Sequence, residues 1–236
     1  IYFFYTAWHI PLLLSMAMGI VAMGLIGILV QLVIINPLLK APRLNQLLAL
    51  ASLIIVVANL AQVIWGDDYR GIPLTMPIIQ FGEIFIRSSF LIAFIGAILT
   101  LGLLYLFLNR TYLGLGIRAV AQDLEMAKGV GINPNVIYYL TQATGGALTG
   151  LVAAFFVPIY TVHPHFGASF TLMAFVIVVF GGMGNLLGGF ASAFIIGIAT
   201  SVTAVLSSKE IADILALVLF IGMMMIRPQG LFGTES

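Results

Sequence analysis

The chain has 236 residues, 62% of them apolar and only 7% charged, with nine basic and eight acidic side chains for a net charge of +1. A typical soluble domain is about 25% charged, so so few charges cannot cover a soluble surface, and the composition is that of an integral membrane protein. The near-neutral balance gives no field for a polyanion such as nucleic acid, and the lack of cysteine excludes disulfides, thiolate metal sites and thiol nucleophiles.

Charges divide the chain into spans. Residues 1–39, 44–66, 88–109 and 129–208 carry no Asp, Glu, Lys or Arg, and 211–226 carries only Asp213. A hydrocarbon core of about 30 Å needs about 20 helical residues. About seven helical segments are expected, at about 11–35, 44–64, 86–108, 136–157, 168–182, 187–206 and 211–227. Backbone polar groups in lipid must be satisfied within their own segment. The blocks are solidly apolar rather than alternating, which excludes a barrel. The expected fold class is all-α, a polytopic transmembrane helical bundle forming one domain over 1–236.

Taken in chain order, the first loop holds Lys40 and Arg43. The second, Trp65 to Gln80, carries Asp67, Asp68 and Arg70 with the turn formers Gly71, Pro73 and Pro77. Glu83 and Arg87 stand four apart and are expected to pair along a helix. Asn59 and Gln62 in the second span are expected to bond across helices. Tyr2, Tyr5, Trp8 and Trp65 suit an interfacial aromatic belt. Loops taken alternately hold Lys40, Arg43, Arg110, Arg118, Lys128 and Arg227 on one side, and Arg70, Arg87 and Lys209 on the other. This excess puts the first set, and the carboxyl end, in the cytoplasm.

The loop from Asn109 to Asn135 changes character. Arg118, Gln122, Asp123, Glu125 and Lys128 interleave with Ala119, Val120, Leu124, Met126, Ala127 and Val130 at helical spacing. Gly131 suits a left-handed helix end, and Pro134 follows where a helix cannot continue. The expectation is a short amphipathic helix at the cytoplasmic face. It either lies on the headgroups or docks its apolar face in a groove of a soluble partner. Asp123 fits either a fixing role at the helix end or a simple N-cap.

Later spans are rich in small residues. Gly181-Gly182-Met183-Gly184-Asn185, followed by Gly188 and Gly189, interrupts an apolar run. It reads either as tight helix packing or an inner turn, or as a break lining a polar path. Thr141, Gln142, Thr144, Gly145, Gly146, Thr149 and Gly150 form a second small and polar stripe, which reads either as close helix contact or as path lining. Thr144, Gly145, Gly181, Gly182, Gly184 and Asn185 are therefore candidate path residues. His163-Pro164-His165 has no Cys, Asp or Glu close by to complete a metal site, so no metal is expected. The spans hold no deep acidic or basic group of the kind that gradient-driven carriers keep. The sequence also contains no G-x-x-x-x-G-K-[ST] phosphate loop, so no ATPase activity of its own is expected.

Several stretches together resemble a known family. Glu125-Met126-Ala127-Lys128-Gly129-Val130-Gly131 resembles the E-A-A-x-x-x-G loop of ABC importer permeases. The run Thr111-Tyr112-Leu113-Gly114-Leu115-Gly116-Ile117-Arg118-Ala119-Val120-Ala121-Gln122-Asp123, then Gly131-Ile132-Asn133, resembles the branched-chain amino acid permeases. So do Asn36-Pro37-Leu38-Leu39, Gly181-Gly182-Met183-Gly184-Asn185 and Arg227-Pro228-Gln229-Gly230-Leu231-Phe232-Gly233.

The resemblance covers essentially the whole chain and is to the shorter of two paired permease types. It departs in three places. Met126 replaces the usual middle Ala, and Met173 stands where many members carry Lys. An Asn-Phe-Ala-His-Gly-like segment is missing, so one or two further spans are expected ahead of Ile1.

The resemblance implies a non-catalytic inner-membrane permease subunit of an ABC importer for branched-chain or related amino acids. The implied partners are a second permease subunit, two cytoplasmic ATP-binding subunits that bind the ATP, and an extracytoplasmic substrate-binding protein. Arg118, Asp123, Glu125, Ala127 and Gly131 would carry the coupling to the ATPases. The alternatives are a permease for urea, amides or other small organic solutes, and a gradient-driven carrier acting alone.

Overall fold

A computed structural model describes residues 1–39, 41–72, 77–81, 84–227 and 229–232. Apolar blocks without charge become helices because only a helix satisfies every backbone group locally in lipid. In order these are α1 (Tyr2–Thr6), α2 (Leu12–Val30), a π-helical turn (Gln31–Ile35) leading into α3 (Asn36–Leu38), and α4 (Arg43–Trp65). A hairpin of β1 (Ile78–Phe81) and β2 (Ile84–Arg87) precedes α5 (Ser88–Arg110). Then follow α6 (Tyr112–Gln122), α7 (Leu124–Gly129), α8 (Pro134–Phe156), α9 (Phe166–Gly181), α10 (Leu186–Leu206) and α11 (Lys209–Ile226). Each of the seven expected segments overlaps one of these helices. Among the described residues, four helical stretches, Leu12–Leu38, Leu44–Trp65, Ser88–Arg110 and Leu186–Leu206, are long and apolar enough to cross a membrane. Phe166–Gly181 has 16 residues, about 24 Å at the helical rise. The all-α membrane bundle is the architecture found.

The hairpin is the one departure in class. β1 and β2 pair antiparallel, Ile79 opposite Ile86 and Gln80 opposite Phe85. Ile79, Phe85 and Ile86 are strand formers, and helix α5 starts only at Ser88. Arg87 therefore sits on a strand, not on the helix expected from residue 86. Its expected partner Glu83 lies outside the described residues, as do Lys40 and Pro73.

The chain forms two compact units, Ile1–Pro164 and His165–Ser236. In the first, α2 and α8 form the main seam. Small residues let the backbones touch. A side-chain carbon at Gly146 would stand 2.3 Å from the Met23 carbonyl oxygen, one at Gly27 2.3 Å from that of Gln142, and one at Gly150 2.8 Å from the Ile20 Cα. Asn59 does not bond across helices as expected. Its amide donates to Ile55 O on its own helix at 2.8 Å.

At one end of this unit Arg70 and Val162 form a β-bridge, with N–H to O distances of 2.9 and 2.7 Å. Arg70 also lies over the rings of Phe3 and Tyr2, 5.1 and 5.9 Å from their centroids, and Phe3 packs on Trp65. The bridge puts the loop after α4 and the loop after α8 at the same end. The α6–α7 segment follows the far end of α5 and precedes the near end of α8, so it occupies the opposite end.

The second unit is the three-helix set α9, α10 and α11 around Val176, Phe180, Ile196 and Ala216, with Met173 and Leu231 packed on that core. Ser192, fully buried, donates its hydroxyl across to Ile177 O at 2.9 Å.

Candidate functional site

The loop between α5 and α8 is two helices, not the one expected over 118–130. Thr111 ends α5 and starts α6. Its hydroxyl donates to Phe107 O at 2.6 Å and accepts from Gly114 N at 3.0 Å. Gly114 permits the fold-back, because a Cβ there would lie 2.3 Å from Phe107 O. The buried face of α6 presents Gly116 to Ile137 at the start of α8. Its other face is open, with Tyr112 and Leu115 exposed.

Asp123 breaks the run. With φ −149° and ψ 109° it leaves the helical region, and its carboxylate accepts from Glu125 N at 2.9 Å and Met126 N at 3.0 Å. This is an N-cap, which fixes the start of α7. Ala127 is buried, while Met126 and Val130 are 69% and 75% exposed. Glu125 and Lys128 pair at 3.2 Å one turn apart. That exposed pair contributes less than about 1 kcal/mol. It is the sole ion pair among the described residues. Arg118 lies exposed in mid-α6 and not at a helix end.

The exit from α7 is a Schellman motif. Gly131, at φ +85°, donates to Lys128 O at 3.0 Å, and Ile132 N donates to Ala127 O at 3.0 Å. Asn133 then caps α8 through Asn135 N at 3.0 Å, with Pro134 in its first turn. Both ends of the six-residue helix are thus closed by their own residues. The segment is a doubly capped knuckle whose exposed apolar side chains have no cover within the described residues of its own unit.

The candidate path residues divide. Thr144 lines an apolar crevice of about 260 Å³ with Ile20, Thr100, Leu103, Phe107 and Leu148. Gly145 is open, with nothing within 4 Å of a would-be Cβ, whereas Gly146 and Gly150 are in the α2 seam. The stripe therefore splits into a packing edge and an open edge with Thr141, Gly145 and Thr149.

In the second unit, Gly181, Gly182, Gly184 and Asn185 form the α9–α10 turn. Gly182 and Gly184 have φ of +96° and +91°, and Gly181 touches the Gly188 and Gly189 backbone. Asn185 caps α10 by accepting from Gly188 N at 2.9 Å. Its amide donates to Phe232 O at 2.9 Å, while Leu231 N and Phe232 N donate to Phe180 O and Gly181 O. The carboxyl segment is thus a strap on this turn, a contact between two motifs 47 residues apart that sequence reading did not join.

Comparison with known proteins decides the family. The profile described as branched-chain amino acid transport system / permease component matches residues 2–224. The chain belongs to this permease family. The permease is 28% identical over 233 residues to the high-affinity branched-chain amino acid transport system permease protein BraD of Pseudomonas aeruginosa, covering 95% of this chain and 76% of that one. It is 30% identical over 131 residues to LivH of Escherichia coli, a permease protein of the same description, covering 55% and 42%. It is 23% identical over 239 residues to a probable branched-chain amino acid transport permease protein of Methanocaldococcus jannaschii, covering 94% and 75%. No solved structure matches. The permease is a multi-pass membrane protein and a transport-system component. At the position where the resemblance places Lys, its Met173 packs on the apolar core of the second unit, which suits an uncharged side chain there.

Proposed function

We propose that this permease imports branched-chain or related amino acids as one subunit of an ABC importer, the whole chain 1–236 acting as one permease domain. It works with a second permease subunit, two cytoplasmic ATP-binding subunits and an extracytoplasmic substrate-binding protein. ATP is bound by the partners, and the permease itself carries out no hydrolysis.

The observation that carries this reading is the α7 knuckle. Its rigid caps transmit force, and its exposed Met126 and Val130 are suited to an apolar groove with a polar rim. Ala127 and the Gly131 turn hold it against the bundle. Glu125 and Arg118 are the polar contacts at the rim. Coupling requires that ATP favour one permease conformation through different contacts in the two states, and a stiff lever on the cytoplasmic side provides them. The basic excess on the Arg110, Arg118, Lys128 and Arg227 loops supports placing the knuckle and the carboxyl end inside the cell. In this reading Thr144 and Gly145 face the solute path.

The test is co-purification from cells producing the permease with the ATP-binding subunits of its own transport system. An ATPase complex is expected whose substrate-stimulated hydrolysis falls at least about tenfold with Glu125→Arg or Met126→Asp, a loss of about 1.4 kcal/mol of coupling. Uptake by this chain alone, driven by an ion gradient and indifferent to ATP, would overturn the proposal.

A further inference from the structure

Helix α4 runs for 23 residues, and no described residue of it is buried. It is tied to its own chain at its ends. The Gln46 amide donates to Leu38 O at 2.9 Å and to Ala41 O at 3.2 Å, and Trp65 packs on Phe3. Between these points no described element packs along it. A wholly apolar helix could lie in lipid this way, but α4 is not apolar on every side. Asn45, Ser52 and Asn59 are all exposed and stand seven residues apart. A straight helix drifts only about 20° per seven residues, so the three share one face. Leu48, Ile55 and Gln62 follow them at a spacing of three. The face is a heptad seam with polar residues at its first position.

Polar side chains within a span almost always face protein. The Ser52 hydroxyl donates to Leu48 O and the Asn59 amide donates to Ile55 O, both at 2.8 Å and within the same helix. A carboxamide has two N–H donors and a carbonyl oxygen. One N–H and the Oδ1 of Asn59 therefore have no partner among the described residues. Hydrocarbon supplies none, and each unsatisfied group is costly there.

We propose that this face of α4 is a dimer seam and that its occupant is α4 of a second copy of this chain. Two copies share one orientation in the membrane, so their α4 helices run parallel about a two-fold axis, and the same patch of each meets the other. Each seam residue then stands opposite its own counterpart at the same depth. A carboxamide is self-complementary, so the spare Asn59 N–H of each copy donates to the Oδ1 of the other. Ser52 is small and lets the two backbones approach. An asparagine at the first position of a heptad fixes both register and partner number. An unlike helix would need matching polar groups at the same depths, which a second copy supplies by symmetry. The seam uses none of the residues of the importer reading, and its failure would leave that reading standing.

The lack of cysteine lets single reporters be placed in the full chain. Two differently tagged copies are produced together in cells, and the membranes are oxidised with copper phenanthroline. Ser52→Cys and Ile55→Cys lie on the seam and leave Asn59 intact. Each is expected to give disulfide-linked pairs of this chain at least about tenfold faster than Val57→Cys, because only cysteines with Cα atoms within about 7 Å can be bridged. Val57 is exposed on the opposite side of α4. With Ile55→Cys as reporter, Asn59→Leu is expected to lower the yield of pairs about three- to thirtyfold and Asn59→Gln to retain it. Three outcomes would each overturn the proposal. The seam positions might link no faster than Val57→Cys, the product might join this chain to a different polypeptide, or Asn59→Leu might pair as well as the wild-type residue.

Discussion

The side-chain amide of Asn185 donates to the carbonyl of Phe232 at 2.9 Å while its own oxygen caps helix α10 at Gly188. One residue thus holds both a helix start and the carboxyl strap. Asn185→Ala removes both and is expected to cost about 1–3 kcal/mol, from the cap and the lost bond. Asn185→Asp keeps the cap acceptor and loses only the strap donor. Thermal unfolding in detergent should rank wild type, Asp, then Ala, with the strap of the Asp variant cut faster by carboxypeptidase. Equal melting of all three would show that the contact carries no stability.

Gly131 stands at φ +85° with open space around it, so conformation and not volume restricts the site. Gly131→Ala is expected to cost about 1 kcal/mol and to keep most coupled transport. Gly131→Pro fixes φ near −65° and removes the N–H that bonds Lys128 O, so the knuckle loses its exit. ATP-driven uptake should fall at least about tenfold, with near-wild-type membrane expression and melting. Normal uptake by the Pro variant would count against α7 as a lever.

The Asp123 cap can be tested separately from charge. Asp123→Asn retains an oxygen for the Glu125 and Met126 amides, whereas Asp123→Ala frees the start of a helix only six residues long. The Ala change is expected to cost about 1 kcal/mol locally. Amide exchange over 124–129 should accelerate several-fold in Ala and little in Asn. Protection unaffected in both would mean that packing through Ala127, and not the cap, orders the segment.

Neighbouring glycines should behave in opposite ways. Gly146→Val drives carbon into the Met23 backbone of α2 and is expected to destabilise by about 1–3 kcal/mol or more. Gly145→Ala meets nothing within 4 Å and should gain up to about 1 kcal/mol of helix propensity. Melting temperatures of the two variants decide the matter. A tolerated Gly146→Val would mean that the α2–α8 seam is looser than described.

Much of the site was legible because local chemistry wrote it. Gly131 followed by Pro134 marked the end of α7, and the interleaved charges of 118–130 marked an amphipathic segment. The break at Asp123 was legible only as one of two options, since an aspartate in a helical pattern caps or continues according to what its neighbours bury. The hairpin 78–87 was missed because short apolar runs of Ile and Phe read alike as helix or strand.

The sequence by itself determined the membrane class, the approximate helix positions and the family, because these follow from charge-free length and from ordered local motifs. Only the tertiary structure decided which small residues are seams and which are open. Gly146 and Gly145 are adjacent and chemically identical, and a Cβ on one would meet the Met23 carbonyl while a Cβ on the other would meet nothing within 4 Å. It also decided that the Asn185 turn and the Phe232 segment are one assembly. These are contacts between residues far apart in the chain, and no local pattern encodes which distant backbone a helix face will meet.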